Sequence, residues 1–99
     1  MHRIVRAQAR PDFSLDIEFE DGVSARVDVS SLVAMAEVAA PFRSPTRFVS
    51  AMTIVEDGEA LHWDDQFELH ADSLRYRAFP EELTRDYSAA PVGQGRPAA

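Results

Sequence analysis

The segment ALHWDDQFELHADSL, residues 60–74, concentrates side chains of the types that bind metals or transfer protons. Its imidazoles and carboxylates are His62, Asp64, Asp65, Glu68, His70 and Asp72. A three-residue hairpin loop at 64–66 would place His62, Glu68 and His70 on one outer strand face. Two imidazoles and a carboxylate suit a borderline divalent metal. These three residues are therefore weak candidates for a metal site or a small-ligand site.

The same segment also fits a purely structural interpretation. Asp64 and Asp65 have strong turn preferences, and Asp72 is predicted to cap a helix through its carboxylate. His62 and His70 would lie diagonally across the strand pair, about 7 Å apart at the backbone. This interpretation makes the segment the solvated face of a sheet, with no metal and no cofactor.

Other kinds of catalytic chemistry have little support in the sequence. There is no cysteine, which removes thiolate catalysis and zinc–thiolate sites, and the four glycines form no phosphate-binding loop. No serine stands in a nucleophile-elbow pattern. Carboxylates that act as acids or bases need burial to shift their pKa values, and the pairs here are expected on turns. The sequence therefore predicts no enzymatic activity.

A hairpin is the clearest element of the sequence. Apolar and polar residues alternate over 13–19 and again over 23–29, as in strands with one buried face. A three-residue loop at 20–22 keeps both apolar sets on one face, and its glycine takes the left-handed conformation that such loops require. In that register Asp16 lies opposite Arg26, a favourable cross-strand pair.

The remaining segments predict further short elements around this hairpin. They are a strand at RIVRAQ, a helix from Ser30 or Ser31 to Pro41, a tight turn or a single helical turn at RSPTRF, a hairpin with a two-residue loop at Asp57-Gly58 that pairs Met52 with Trp63 and Ile54 with Leu61, and helices that begin at Asp72 and Pro80. The expected fold is α+β, an antiparallel β-meander of order β-β-β-α-β-β-β-α with a short last strand and short helices packed on one face. We expect residues 1–87 to form a single domain and residues 88–99 to form a disordered tail.

The charge distribution limits the classes of partner. The net charge is −7, and seven carboxylates with no arginine or lysine lie between Glu56 and Asp72. Such a surface repels phosphates, so nucleic-acid binding is unlikely, and Arg3, Arg6 and Arg10 form too small a basic cluster to bind DNA alone. No apolar run is long enough to cross a membrane, and no secretory signal is visible, so a cytoplasmic location is expected.

Several short motifs occur in an order that resembles a bacterial family, domain of unknown function 2442. They are FEDG at 19–22, Asp28, SPTRF at 44–48, Trp63 and DSLRY at 72–76, and the resemblance covers residues 2–76. Two positions depart from the family pattern. Asp64-Asp65-Gln66 stands where P-N-G is usual, so either Gln66 adopts a left-handed backbone or the loop has a different shape here, and Ser44 stands where an aspartate is common. The resemblance implies a small α+β domain and no catalytic residues.

Three functional hypotheses follow. Some members of the family look fused to a helix-turn-helix and others lie beside genes of small toxins, which implies a regulatory or partner-binding role. The leading hypothesis is a non-enzymatic interaction module, antitoxin-like or accessory, that binds a basic protein. Association into a homodimer through a sheet edge or the short helices is a second form of it. The rival is a metal- or ligand-binding protein that uses His62, Glu68 and His70.

Overall fold

Two antiparallel sheets of three strands form the framework of the domain. The computed structural model of the chain describes residues 2–88. Sheet A contains β1 (Ile4–Ala9), β2 (Ser14–Phe19) and β3 (Ser24–Asp28), and sheet B contains β4 (Met52–Ile54), β5 (Ala60–Trp63) and β6 (Phe67–His70). In both sheets the strands are adjacent in chain order. The α+β class and the predicted order of the strands are confirmed.

Short helices connect and flank the two sheets. They are α1 (Ser30–Met35), a 3₁₀ helix (Glu37–Arg43), α2 (Pro45–Ala51), α3 (Ala71–Ala78) and α4 (Pro80–Ser88). A second 3₁₀ turn, Glu56–Gly58, lies between β4 and β5, so this loop is longer than the predicted two-residue loop at Asp57-Gly58, because Val55 rather than Glu56 makes the last backbone hydrogen bond, to Ala60. Proline stands at the first position of both α2 and α4, where its missing N–H has no helical partner to lose. In the part of the chain that is described, no helix is long and apolar enough to span a membrane.

The first hairpin has the predicted register. Leu15 pairs with Val27 and Asp16 with Arg26, and the Phe19 N–H donates to the Val23 carbonyl over 2.8 Å. The three-residue loop between β2 and β3 is therefore confirmed, and its glycine has the expected positive φ of 88°. Consequently the apolar residues of both strands point into the core.

The second meander also pairs as predicted, but its last loop differs in shape. Met52 pairs with Trp63, and Trp63 pairs with Phe67 across the loop at 64–66. Gln66 does not take the left-handed backbone. Asp64 and Asp65 take it instead, with φ of 51° and 59°. Aspartate tolerates this region better than most residues, which explains how the loop closes without the usual glycine.

The helix that follows β3 is shorter than predicted. It ends at Met35 rather than at Pro41, because Ala36 has an extended backbone, and the chain continues as a 3₁₀ helix that contains Pro41. Arg43 compensates for the early end, since its guanidinium donates to the carbonyls of Val33 and Ala36, each over 3.0 Å. Two carbonyls that a longer helix would have satisfied are satisfied by this side chain.

Neither predicted helix cap is used. At the start of α1, the Asp28 carboxylate accepts hydrogen bonds from the backbone N–H and the hydroxyl of Ser30. The accepting side chain is therefore that of Asp28, two residues before Ser30, and not that of the predicted serine cap. These two hydrogen bonds lower the pKa of Asp28. At α3 the residue in the capping position is His70, and Asp72 lies in the first turn.

One core joins the inner faces of both sheets to the helices. Its most deeply buried side chains are Trp63, Phe19, Phe42, Phe48, Leu15, Leu61, Leu74, Val29 and Val33. The Trp63 ring stacks on Phe48 at 5.3 Å and lies 5.2 Å from the Phe67 ring, and its Nε1 donates to the Phe48 carbonyl over 2.9 Å. Because the indole N–H is satisfied, Trp63 can be buried completely.

Two glycines with positive φ offer a matched stability test. A Cβ at Gly22 meets nothing within 4 Å, whereas a Cβ at Gly58 would lie 2.1 Å from the Ile4 carbonyl oxygen. We expect Gly22→Ala to cost about 1 kcal/mol of unfolding free energy from the left-handed backbone alone. Gly58→Ala should cost about 2–3 kcal/mol because the overpacking adds to that strain. Urea denaturation of both variants measures the difference, and equal losses would contradict it.

The prediction of a disordered tail falls mostly outside the described residues. Ser88 is the last residue of α4, and residues 89–99 are not described.

Candidate functional site

The structure brings His62, Glu68 and His70 together on the outer face of sheet B. His62 lies directly opposite Glu68 in the β5–β6 pair. One Glu68 carboxylate oxygen contacts Nε2 of His62 and the other contacts Nε2 of His70. Nδ1 of His62 also lies 3.3 Å from the Asp65 carboxylate. The predicted side-chain row is therefore present, with Glu68 between the two imidazoles.

This row does not converge on a common point as metal ligands do. The two imidazoles contact different oxygens of the Glu68 carboxylate. Within residues 2–88, no group of three or more His, Asp or Glu is placed to hold a metal ion. The side chains of His62, Glu68 and His70 are 25 %, 40 % and 65 % exposed, so water reaches all three. As it stands, the row is a solvated chain of histidine–carboxylate contacts.

A metal screen tests the rival hypothesis directly. We expect zinc, nickel and manganese to change the melting temperature of the wild-type chain no more than that of the His62→Ala/His70→Ala variant. The reason is that a metal bound to the folded state stabilises it, and the two ring nitrogens are not positioned for shared coordination. A rise in melting temperature seen only in the wild-type chain would establish the metal site and contradict this expectation.

The carboxylates around the row form an acidic surface. We define this acidic surface as Asp57, Glu59, Asp64, Asp65 and Glu68, all of which are exposed. The Asp65 side chain is 94 % exposed. Among the described residues, Arg47 is the only arginine that pairs with this group, and it binds Asp64 over 2.8 Å. The negative charge of the surface is therefore largely uncompensated.

The outer face of sheet A has a different character, because its charges are paired. Asp16 contacts both Arg10 and Arg26, and Glu18 contacts Arg6. Hydrogen bonds from Arg26, and to a smaller extent from Arg10, lower the pKa of Asp16. An open depression of about 770 Å³ lies over this face, and its lining residues are Arg6, Ala7, Gln8, Asp16, Ile17, Glu18, Ser24, Ala25 and Arg26.

The predicted basic cluster is divided between two places. Arg6 and Arg10 pair with carboxylates on the face of sheet A, whereas Arg3 donates to the Asp57 carbonyl over 3.3 Å. The three guanidinium groups therefore do not act as one positively charged patch.

A buried arginine that the sequence analysis missed connects the first hairpin to the C-terminal helices. The Arg75 side chain is only 5 % exposed and binds the carboxylates of Asp21 and Glu82 with two hydrogen bonds each. Its guanidinium also lies over the rings of Phe19, at 4.9 Å, and Phe79, at 5.4 Å. These contacts hold the pKa of Arg75 above its ordinary value and lower those of Asp21 and Glu82.

Asp72 has a different role from the predicted helix cap. Its carboxylate accepts from the backbone N–H of His2 over 2.8 Å and contacts the His2 ring at 3.0 Å. Burial raises the pKa of Asp72, but the hydrogen bonds from His2 outweigh it, and the net effect is a lowered pKa. The His2 ring packs edge-on against Phe19 and Tyr76. Asp72 thus attaches the start of the chain to α3.

Both contacts join residues that are far apart in the sequence. Asp21 and Arg75 are separated by 54 positions, and His2 and Asp72 by 70. One sequence feature hints at the first contact, because Arg75 follows the apolar Leu74 in a short helix that has few other candidates for burial. That feature does not name the partner.

The fold and these contacts can now be compared with known proteins. A family model described as protein of unknown function, DUF2442, matches residues 4–80. The chain belongs to the DUF2442 family. The resemblance noted from short motifs is therefore confirmed, and the match extends past DSLRY to Pro80. Among curated proteins, no match to this DUF2442 chain was found.

A solved structure shares the fold of this DUF2442 domain. It is the crystal structure of a protein described as "Putative DNA Binding Protein NE0471" from Nitrosomonas europaea ATCC 19718. The two chains superpose with a TM-score of 0.71 at 19 % sequence identity, over 84 % of this chain and 52 % of the other. This chain spans about half the length of that protein. The likeness shows a common fold.

Proposed function

We propose that this chain is a non-enzymatic protein-interaction module, of an antitoxin-like or accessory kind, whose acidic surface binds a basic protein. The observation that carries the proposal is the exposure of five carboxylates, one on β6 of sheet B and four in the turns at the two ends of β5, with a single arginine partner among the described residues. Such a surface attracts a basic partner over long range and speeds the encounter.

The state of the candidate metal or ligand residues supports a protein-binding role over an enzymatic one. His62, Glu68 and His70 are all reached by water. Acid–base catalysts are generally tuned by burial and by neighbouring charges in a site that excludes water. The open depression on sheet A is lined by arginine–carboxylate pairs, which neutralise one another.

A capture experiment with matched charge variants tests the proposal. Immobilised wild-type chain should retain a stoichiometric basic protein from an extract of its native organism at about 50 mM salt and lose it at about 500 mM, since salt screens exposed charges. The Glu59→Gln/Asp65→Asn variant should retain much less of it. The control, Glu20→Gln/Glu81→Gln, loses the same charge from exposed sites elsewhere and should behave as wild type.

Two results would contradict the proposal. One is that no stoichiometric protein is retained at either salt concentration. The other is that the two double variants lose the retained protein equally, because the acidic surface would then have no special role.

Nucleic-acid binding is a second candidate, and one observation favours it. The protein of similar fold from Nitrosomonas europaea is described as a putative DNA-binding protein. In this chain, the arginines on sheet A would have to exchange Asp16 and Glu18 for phosphates, and those two carboxylates would then face the DNA backbone. Paired charges of this kind release few counterions and give weak binding.

A fluorescence anisotropy titration with duplex DNA tests this candidate. At about 50 mM salt, we expect a dissociation constant no tighter than about 100 µM, the weak limit of non-specific binding. Arg6→Ala/Arg10→Ala should change it little. Micromolar binding that this double variant abolishes would favour the second candidate over the first.

A further inference from the structure

The end of α1 and the 3₁₀ helix that follows it present apolar side chains to solvent. We call residues 34–41 the apolar ridge. Its exposed residues are Ala34, Met35, Glu37, Val38, Ala40 and Pro41, and only one of them is charged. Met35 is 82 % exposed, the highest value for any large aliphatic side chain in the described residues. Val38, at 57 %, has the next highest value. Contiguous exposed apolar residues of this kind are typical of protein–protein contacts.

The apolar ridge is held in a defined shape. Arg43 clamps its backbone by donating to the carbonyls of Val33 and Ala36. Beneath it, Val33, Ala39 and Phe42 are buried in the core, so the exposed residues are supported from below. A surface that is ordered in advance loses less conformational entropy when it binds.

The charge of the apolar ridge favours a second copy of the chain over a basic protein as its binding partner. A basic partner has little to gain there, because Glu37 is its only acid. Two copies of a chain with a net charge of −7 repel each other through most of their surfaces, and the ridge is a place where they can meet without opposed carboxylate clusters.

The ridge is also self-complementary. Glu37 and the exposed Arg43 stand at the two ends of the 3₁₀ helix, with Val38, Ala40 and Pro41 between them and Met35 just before Glu37. In a twofold dimer, if one residue of the first copy contacts another residue of the second, the reciprocal contact forms as well. Glu37 of each copy can therefore face Arg43 of the other, with Val38 between them and Met35 beside Glu37. Methionine adapts its shape well at such contacts.

We propose that the apolar ridge is the docking surface for a second copy of this chain, and that the chain forms a twofold dimer through it. This interface is separate from the acidic surface. The dimer therefore leaves the site of the proposed function open to a basic partner.

The test is the molar mass of the full-length chain over a concentration series. By analytical ultracentrifugation at 0.15 M salt, where the Debye length is about 8 Å, the mass should rise from one chain, 11.0 kDa, toward two between about 1 and 500 µM. Met35→Glu/Val38→Glu should weaken dimerisation at least about tenfold, because it places charges in the centre of the contact. Glu37→Arg, which sets like charges against each other, should also weaken it.

A matched control locates the effect. Leu83→Glu introduces a charge at another exposed aliphatic residue, 46 % exposed on α4, and should leave the dimer unchanged. Circular dichroism of each variant verifies that it is folded. The proposal is overturned if the wild-type chain stays monomeric at every concentration. It is equally overturned if the dimer of Met35→Glu/Val38→Glu is as tight as that of the wild-type chain. Loss of the dimer in Leu83→Glu alone would place the contact on α4.

Discussion

Trp63→Ala is expected to remove most of the stability of the domain. Trp63 is fully buried and contacts the rings of Phe48 and Phe67, so truncation leaves a cavity at the centre of the core. Large-to-small changes of this kind cost about 3–5 kcal/mol, against a total stability of about 5–15 kcal/mol for a typical domain. We expect the melting temperature to fall by more than about 20 °C.

Trp63→Phe separates packing from hydrogen bonding. The phenyl ring keeps most of the stacking on Phe48, but the Phe48 carbonyl loses the N–H that it accepts from. An unsatisfied buried acceptor costs about 1–3 kcal/mol, so this variant should lie between the wild-type chain and Trp63→Ala.

Thermal unfolding followed by circular dichroism measures both Trp63 variants, because the chain has a single tryptophan and both variants lose its fluorescence. Val49→Ala serves as the control. Val49 is 39 % exposed on α2, next to the same region of the core, and its loss should cost no more than about 0.5 kcal/mol. A Trp63→Ala variant as stable as Val49→Ala would show that Trp63 is not central to the core.

Arg75→Met should produce the second largest loss. The substitution keeps part of the apolar contact with Phe19 and Phe79 but leaves Asp21 and Glu82 without their cation. Breaking a buried ion pair costs about 3–5 kcal/mol when a charge stays buried. Because the Asp21 side chain is 52 % exposed and can be hydrated again, we expect a loss of about 3 kcal/mol.

Urea denaturation followed by Trp63 fluorescence measures this loss. Arg85→Met is the control, since the Arg85 side chain is 68 % exposed and pairs with Asp86 at the surface. That change should cost no more than about 0.5 kcal/mol. If the two arginine variants lose equal stability, the burial of Arg75 is unimportant.

The Arg75 contacts also predict the pH dependence of stability. Because Asp21 and Glu82 have lowered pKa values in the folded chain, the unfolded chain binds more protons in the acid range. Their contribution is present above the ordinary values of 3.8 and 4.5, and it is lost as the pH falls through the lower folded pKa values. Stability of the wild-type chain should therefore drop between about pH 5 and pH 2.

Arg75→Met should flatten that drop, since both carboxyls regain pKa values closer to the ordinary ones. Urea midpoints between pH 2 and pH 7 provide the measurement for both chains. Parallel curves would mean that Arg75 does not cause the lowered pKa values, whereas converging curves at low pH support the assignment.

The sequence by itself determined the strands, the registers of the β2–β3, β4–β5 and β5–β6 pairs and the lengths of the loops at 20–22 and 64–66. Each rests on local information. Alternating apolar residues define which strand face is buried, and a slip by one residue would expose the whole set, so Leu15 had to pair with Val27 and Trp63 with Phe67. The same alternation placed His62, Glu68 and His70 together on the outer face of the β5–β6 pair.

Details that depend on competing local hydrogen bonds could not be predicted in this way. The end of α1 at Met35 depends on Arg43, seven residues beyond the carbonyl of Ala36 that it satisfies. Asp64 and Asp65, rather than Gln66, have the left-handed backbone, because either arrangement of the loop closes the same hairpin.

Only the tertiary structure decided the partners of Arg75 and Asp72. Arg75 meets Asp21, and Asp72 meets His2, because α3 packs against the first hairpin and His2 lies beside it. Hydrophobic periodicity reports which face of an element is buried, but it carries no information about which distant charge will lie opposite it. That choice is made by three-dimensional packing, where an arginine can be buried only if carboxylates from other elements arrive at the same place.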